Sequence, residues 1–140
     1  MKNIVFEHVV KAYGKNVIVK DLNMEIKEGE RLILLGPSGC GKSTTLRMIA
    51  GLEELTEGNL YMDGRLVNHV ACGNRDVSMV FQNYALFPHM TVRNNIIYGL
   101  KAHKMNPEEI EKRLSEVLGM LELKGLEERK PKDLSGGQRQ

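Results

Sequence analysis

The spacing of hydrophobic and polar positions changes several times along this 140-residue chain, and each change marks an element. Residues 4–10 and 17–26 read as strands. In the second, Leu22, Met24 and Ile26 alternate with Asn23, Glu25 and Lys27, the period-two pattern of a half-exposed antiparallel strand. Glu28, Gly29 and Glu30 turn the chain into residues 31–35 (RLILL), an apolar run that predicts a buried strand ended by Gly36. A helix is expected from about Lys42 to Ala50. Residues 59–62 and 66–67 flank Asp63-Gly64, a strong hairpin signal. Residues 77–81 form a further apolar strand run. Helical spacing then dominates. Asn106 is placed to cap a helix, with Pro107 at its first position and Glu109 at the capping-box position. Ile110, Leu114, Val117, Leu118 and Leu121 share one face of that helix and predict core packing. Gly125 and Pro131 interrupt the chain, and the Ser135-x-x-Gln138 spacing starts another helix. No internal repeat, low-complexity segment or flexible linker is visible.

The junction between the apolar run and the first helix carries the chemistry. Gly36-Pro37-Ser38-Gly39-Cys40-Gly41-Lys42-Ser43-Thr44 fits G-x-x-x-x-G-K-[ST], the phosphate loop of ATP- and GTP-binding proteins, in the strand-loop-helix context that motif requires. Gly36, Gly39 and Gly41 carry no Cβ, so the backbone turns tightly and an anion can approach it closely. Successive N–H groups form a nest, and the helix N-terminus adds unpaired donors and its dipole. Lys42 is expected to reach the β- and γ-phosphates, and the Ser43 hydroxyl to ligate Mg2+. Thr44 adds a hydroxyl near the α-phosphate. Cys40 fills a variable position of the loop.

A second motif, Leu134-Ser135-Gly136-Gly137-Gln138, lies near the C-terminal end. With the phosphate loop it resembles the ATP-binding-cassette (ABC) ATPases, whose signature is L-S-G-G-Q. The resemblance covers residues 4–140 and implies an α/β fold: a P-loop NTPase core with an antiparallel β layer and a helical subdomain, truncated after the signature. Residues 1–140 are then an incomplete nucleotide-binding domain, with 1–82 in the core and 83–140 in the helical subdomain and signature. The family packs two such domains head to tail, so Ser135, Gly136, Gly137 and Gln138 would meet the partner's nucleotide. Tyr13, in Lys11-Ala12-Tyr13-Gly14, matches the aromatic that stacks on adenine. Gln82 matches the glutamine that contacts Mg2+ and the attacking water. Residues 83–100, with Tyr84, Leu86, Phe87 and Pro88 as an apolar patch, resemble the surface that receives a transmembrane permease subunit. His89 is given no catalytic role.

The match is nearest to ATPases of sugar and glycerol-phosphate importers, carried by the loop itself, by Arg47-Met48-Ile49-Ala50-Gly51-Leu52-Glu53 and by Arg129-Lys130-Pro131 before the signature. The function implied is an ATP-binding, energy-coupling subunit that hydrolyses ATP to drive uptake of a carbohydrate or glycerol phosphate. A solute-binding protein would be an indirect partner. Polyamine, sulfate and iron importers share most of these motifs. Asn94 stands where the family often has Glu, and Ala71-Cys72 where a proline pair is frequent. The family's next strand carries an Asp for Mg2+ and a Glu that activates water, and a later loop carries a His; none is present here. Catalytic residues are therefore incomplete, and the isolated chain is expected to be poorly stable and nearly inactive. Two other readings stand beside the importer: a remnant that binds nucleotide or partner without turnover, and a DNA-repair cassette ATPase. The second is disfavoured by the modest segment between loop and signature.

Composition narrows this further. The net charge is only +2, with both signs interleaved, and no basic stripe points to nucleic acid. Two cysteines without ligand spacing suggest a reduced, cytoplasmic setting. The four histidines are scattered. No run approaches the ~20 apolar residues that cross a bilayer, so the expected location is the cytoplasmic face of the membrane, reached through partners.

Overall fold

The computed structural model describes residues 3–82 and 84–140. The chain divides into two compact units, residues 1–79 and 80–140. The first is built on a four-stranded sheet, all antiparallel, in the order β2-β1-β3-β4. Its strands are β1 (Ile4–Tyr13), β2 (Asn16–Ile26), β3 (Glu57–Met62) and β4 (Arg65–Leu66). Helix α1 (Lys42–Ala50) lies between β2 and β3 in sequence. Phe6, Val9, Val19, Leu60, Met62 and Val67 from the sheet side pack with Met48 of α1 into one core. Phe6, Met48 and Leu60 are almost fully buried, and burial of each such side chain contributes roughly 1.5–3 kcal/mol. The β3-β4 hairpin turns at Asp63-Gly64 as the sequence predicts, both at positive φ.

One irregularity governs which side chains face this core. His8 adopts φ 49 in the middle of β1, and the register of β1 shifts there against both β2 and β3. An unbroken strand would bury residues 6, 8 and 10 on one face. The bulge instead buries Phe6, Val9 and Lys11. Across from it, Asp21 of β2 is also at positive φ, with its Oδ1 2.8 Å from His8 Nδ1, and the His8 N–H donates to Asn23 Oδ1 at 2.9 Å. On the other side, Gly58 approaches so closely that a Cβ there would lie 2.3 Å from the His8 carbonyl oxygen. The bulge thus places Lys11, and with it Tyr13 two residues on, on the face that Phe6 and Val9 bury.

The second unit contains α2 (Val92–Ala102), α3 (Pro107–Met120) and the short α4 (Gly136–Arg139). Val92, Ile97, Ile110, Leu114, Leu118, Leu123 and Leu134 form its core. Asn106 caps α3 as expected, but its side chain accepts from the Glu108 N–H, and Glu109 pairs instead with Arg113 one turn on. Leu121, expected on the apolar stripe, lies just past the end of α3 and is exposed.

Two expectations fail. Residues 31–35 and 77–81 carry strand patterns, yet neither forms a strand. Leu32, Ile33, Leu35 and Val80 are exposed, Ile33 by 77%, Leu35 by 87% and Val80 by 91%. The physical reason is the ladder: an apolar central strand is stable only when neighbours take its N–H and C=O groups and cover both faces. Among the described residues no strand pairs with either segment.

Candidate nucleotide-binding site

Local backbone chemistry builds the loop. Gly36, Gly39 and Gly41 all have positive φ, and the N-cap Gly41 offers no side chain to the α1 donors. No acidic residue lies in the first turn of α1. The helix N-terminus therefore presents unclaimed N–H groups and the positive end of its dipole, without a competing carboxylate. Gly41 is pressed against β2: a Cβ there would sit 3.1 Å from Val19 Cγ2 and 3.3 Å from the Ile18 carbonyl oxygen. The buried Thr45 hydroxyl donates to the Gly41 carbonyl at 3.0 Å and locks the first turn. Lys42 folds back over the loop, its Nζ donating to the carbonyls of Gly36 and Pro37, each at 2.7 Å, with Cys40 Sγ at 3.5 Å. Ser38, Gly39, Cys40 and Ser43 are exposed, and Thr44 is half-buried. These residues fit a polyphosphate: fixed backbone donors, an ammonium held over the loop and an accessible hydroxyl at Ser43. Among the described residues no cluster of three or more His, Cys, Asp or Glu could cage a metal. An Mg2+ ion here would rest on Ser43 and on phosphate oxygens, the usual habit of that ion.

Tyr13 ends β1 and pairs with Asn16 of β2, while Ala12 pairs with Val17. The next two residues of β2, Ile18 and Val19, are those that touch Gly41. The strand therefore carries Tyr13 to within two or three residue positions of the part of β2 that faces Gly41. Tyr13 is half-exposed.

Beside it lies a cluster that sequence reasoning missed. Lys11, only 8% exposed, pairs with Glu53 at 2.6 Å, donates to the Glu54 carbonyl at 2.9 Å and sits 4.7 Å from the Tyr13 ring centroid. Hydrogen bonds from Lys11, and next from Tyr13, hold the Glu53 carboxyl below its ordinary value. A lowered carboxyl pKa stabilises the fold above the usual carboxylate range, and that contribution is lost as pH falls through the lowered value. Urea midpoints taken from pH ~6 down to ~3 should therefore fall more steeply for the parent than for Glu53→Gln. Equal slopes would remove the ion pair from the stability of this unit.

Arg75 was also missed. It is buried, and its guanidinium donates to the carbonyls of Val70, Met48, Ile49, Val67 and Asn68. No local pattern marks it, because a charged residue before an apolar run reads as a solvated one. A cleft of about 940 Å3 in the same unit, lined in part by Ile4, Ile49, Val77 and Ser78, contains no phosphate-loop residue.

Gln82 and the signature belong to the second unit. Gln82 is exposed in a turn. Ser135 caps α4 with a complete capping box: its hydroxyl accepts from the Gln138 N–H at 3.3 Å, and Gln138 Oε1 accepts from the Ser135 N–H at 3.0 Å. Accepting uses a lone pair and not the hydroxyl proton. Gly136 and Gly137 are exposed, and Leu134 anchors the motif in the core. Of the expected partner surface, Asn83 lies outside the described residues. Phe87 packs against Tyr98 at 4.6 Å between ring centroids and edge-on to His89. Asn95 holds this loop, accepting from the Phe87 N–H and donating to the carbonyls of Phe87, Met90 and Thr91. Tyr84, Pro88 and Phe87 are exposed and Leu86 half-buried. No described helix is long and apolar enough to cross a membrane.

Comparison with known proteins agrees with this architecture. The family model described as ABC transporter matches residues 19–140. The chain is 55% identical, over its whole length, to the uncharacterized ABC transporter ATP-binding protein YurJ of Bacillus subtilis (strain 168), covering 38% of that protein. It is also 55% identical to the sn-glycerol-3-phosphate import ATP-binding protein UgpC of Brucella abortus (strain 2308), and 54% identical to the oligosaccharides import ATP-binding protein MsmX of Bacillus subtilis (strain 168). Both matches again take in the whole chain, with 40% and 39% of the relative. The chain thus spans about two fifths of the length of these relatives. Among solved structures, 97% of it superposes on 65% of the ATP-binding cassette MJ0796, a dimer in a post-hydrolysis state bound to ADP and Pi, with TM-score 0.81 and 37% identity. The fold is that of a P-loop NTPase core with an antiparallel β layer and a helical subdomain, and this chain belongs to the ABC transporter family.

Proposed function

We propose that this chain binds ATP as part of the energy-coupling ATPase of an importer whose solute is a carbohydrate or a glycerol phosphate. The observation that carries the reading is the phosphate loop, where Lys42 lies over an α1 N-terminus free of caps and carboxylates. In this reading Gly36, Pro37, Ser38, Gly39, Cys40, Gly41, Lys42, Ser43 and Thr44 hold the phosphates, and Tyr13 stacks on the base. Ser43 and Gln82 meet Mg2+, and Gln82 orients the attacking water. Bound nucleotide supplies the phosphoryl bond whose hydrolysis drives transport, and Lys42 offsets charge on the β- and γ-phosphate oxygens. Ser135, Gly136, Gly137 and Gln138 serve the nucleotide of a second subunit packed head to tail, an arrangement in which two-fold symmetry uses each patch twice. Residues 83–100 dock on a permease, with the aromatic contact of Phe87 and Tyr98 as the apolar centre, and a solute-binding protein acts through that permease. The protein then works at the cytoplasmic face of the membrane as a peripheral subunit. Residues 1–82 form the core and 83–140 the helical subdomain. The names of the UgpC and MsmX relatives support the solute class.

The test is ATP binding by titration calorimetry. Lys42→Ala is expected to weaken ATP by on the order of 100-fold, the loss of two charge-assisted hydrogen bonds. It should leave unfolding little changed, because the carbonyls that it releases are exposed. Equal affinity in parent and variant would sink the reading.

A further inference from the structure

We propose that Lys11 and Glu53 are positioning residues for the nucleotide base, acting through Tyr13. The inference rests on the reading of Tyr13 as the base-stacking aromatic and adds how that ring is held.

One contact reaches the Tyr13 ring directly, and two more fix the Lys11 side chain that makes it. The Lys11 ammonium lies 4.7 Å from the ring centroid, within cation–π range. The Glu53 carboxylate pairs with Lys11 at 2.6 Å. The Glu54 carbonyl takes a second Lys11 proton at 2.9 Å. Lys11 and Glu53 are mostly shielded from water, with side chains 10% and 20% exposed, whereas about half of Tyr13 stays open to solvent. An isolated ring at a strand end would sample several rotamers, and ordering it on binding would cost entropy. Here the order is present beforehand, so less is lost when a base stacks.

The carboxylate is itself fixed to the phosphate site. Glu53 lies two residues beyond Gly51, the C-cap of α1, where the Gly51 and Leu52 N–H groups donate to the Met48 and Arg47 carbonyls. The same helix begins at the phosphate loop. One rigid element therefore carries the phosphate donors at its N-terminus and the anchor of the base platform just past its C-terminus. On the strand side, the His8 bulge turns Lys11 inward to meet that anchor. Chain segments far apart in sequence thereby fix the spacing between base and phosphates.

A binding comparison separates this role from plain stability. ATP uses the ring and the loop; inorganic tripolyphosphate uses only the loop. Lys11→Met is expected to weaken ATP about five- to tenfold and leave tripolyphosphate within about twofold. Tyr13→Ala should weaken ATP about tenfold or more, again without touching tripolyphosphate. In the Tyr13→Ala background, Lys11→Met should then add less than about twofold, the signature of one residue acting through the other. Glu53→Gln provides a milder second variant should Lys11→Met fail to fold by circular dichroism; it should shift the ATP-to-tripolyphosphate ratio in the same direction. The inference is overturned if the Lys11 effect adds fully to that of Tyr13, if both ligands weaken equally, or if neither Lys11→Met nor Glu53→Gln changes the ratio. A Tyr13→Ala variant with an unchanged ratio would sink the base-stacking reading and this inference together. A parent that binds neither ligand would instead strike at the phosphate loop.

Discussion

Replacing Arg75 with alanine is expected to remove about 3–5 kcal/mol of stability from the first unit. The guanidinium is buried among carbonyls. Its donors reach Val70, Val67, Asn68 and the last turn of α1 at Met48 and Ile49. Helix C-termini leave carbonyls without intrahelical partners, and here Arg75 takes two residues near that end. Burial pushes its pKa down, yet a guanidinium remains protonated at neutral pH. Truncation would leave a cavity and take donors from five carbonyls; those of Met48 and Val67 keep the Gly51 and Val70 N–H groups, and each of the other three costs about 1–3 kcal/mol if water cannot enter. Arg75→Lys should recover only a small part, because a single ammonium cannot serve carbonyls spread around a planar fork. Urea unfolding monitored by circular dichroism checks this. A loss below about 1 kcal/mol for Arg75→Ala would show that solvent replaces the guanidinium without penalty.

The second large effect is expected at Gly58. Its φ of 85 is unfavourable for any residue with a Cβ, and that Cβ would meet the His8 carbonyl oxygen at 2.3 Å and the Glu7 carbonyl oxygen at 2.6 Å. Both obstacles are backbone, so β1 and β3 would have to separate. Gly64 is the internal control: its φ is 73, but nothing lies within 4 Å of an added Cβ. Gly64→Ala isolates the conformational term, about 1–2 kcal/mol. Gly58→Ala should cost at least ~3 kcal/mol, since the clash adds to the same term. The two melting temperatures, measured side by side, give the difference directly, and equal values would mean that the bulge yields freely. Because the bulge also sets the face of Lys11 and Tyr13, any folded Gly58→Ala protein should lose ATP affinity more than tripolyphosphate affinity.

Local chemistry made much of this structure legible. Helix α1 begins at Lys42 and ends at Ala50 because the glycine loop and Gly51 bracket it. Asn106, the Asp63-Gly64 turn and the Ser135–Gln138 capping box each specify their backbone within four residues. The failures share a different origin. Residues 31–35 and 77–81 have the composition of strands, but a strand is a pairing, and its partner is not written in its own residues. Lys11 and Arg75 were hidden because their burial follows from a register slip at His8 and from a helix end 27 residues away in the case of Arg75 and Met48. Glu109 fits a capping box by spacing, and the nearby Arg113 guanidinium wins it instead. The phosphate loop was visible in the sequence as a motif; the posture of its lysine was not.

That posture has a consequence for selectivity. With Nζ already bonded to the Gly36 and Pro37 carbonyls, Lys42 acts as an internal competitor for any incoming anion. An anion gains only the difference between its own bonds to the ammonium and the two that it displaces. A small singly charged ion, touching the lysine alone, gains least by that exchange, whereas a polyphosphate brings several anionic oxygens to the ammonium, the gain that Lys42→Ala removes. A polyphosphate that engages the α1 N-terminus at the same time recovers the difference from the backbone donors. The bonds that Lys42 makes within its own loop thus favour anions that reach the lysine and the helix donors together, so tripolyphosphate should bind ahead of monovalent inorganic phosphate.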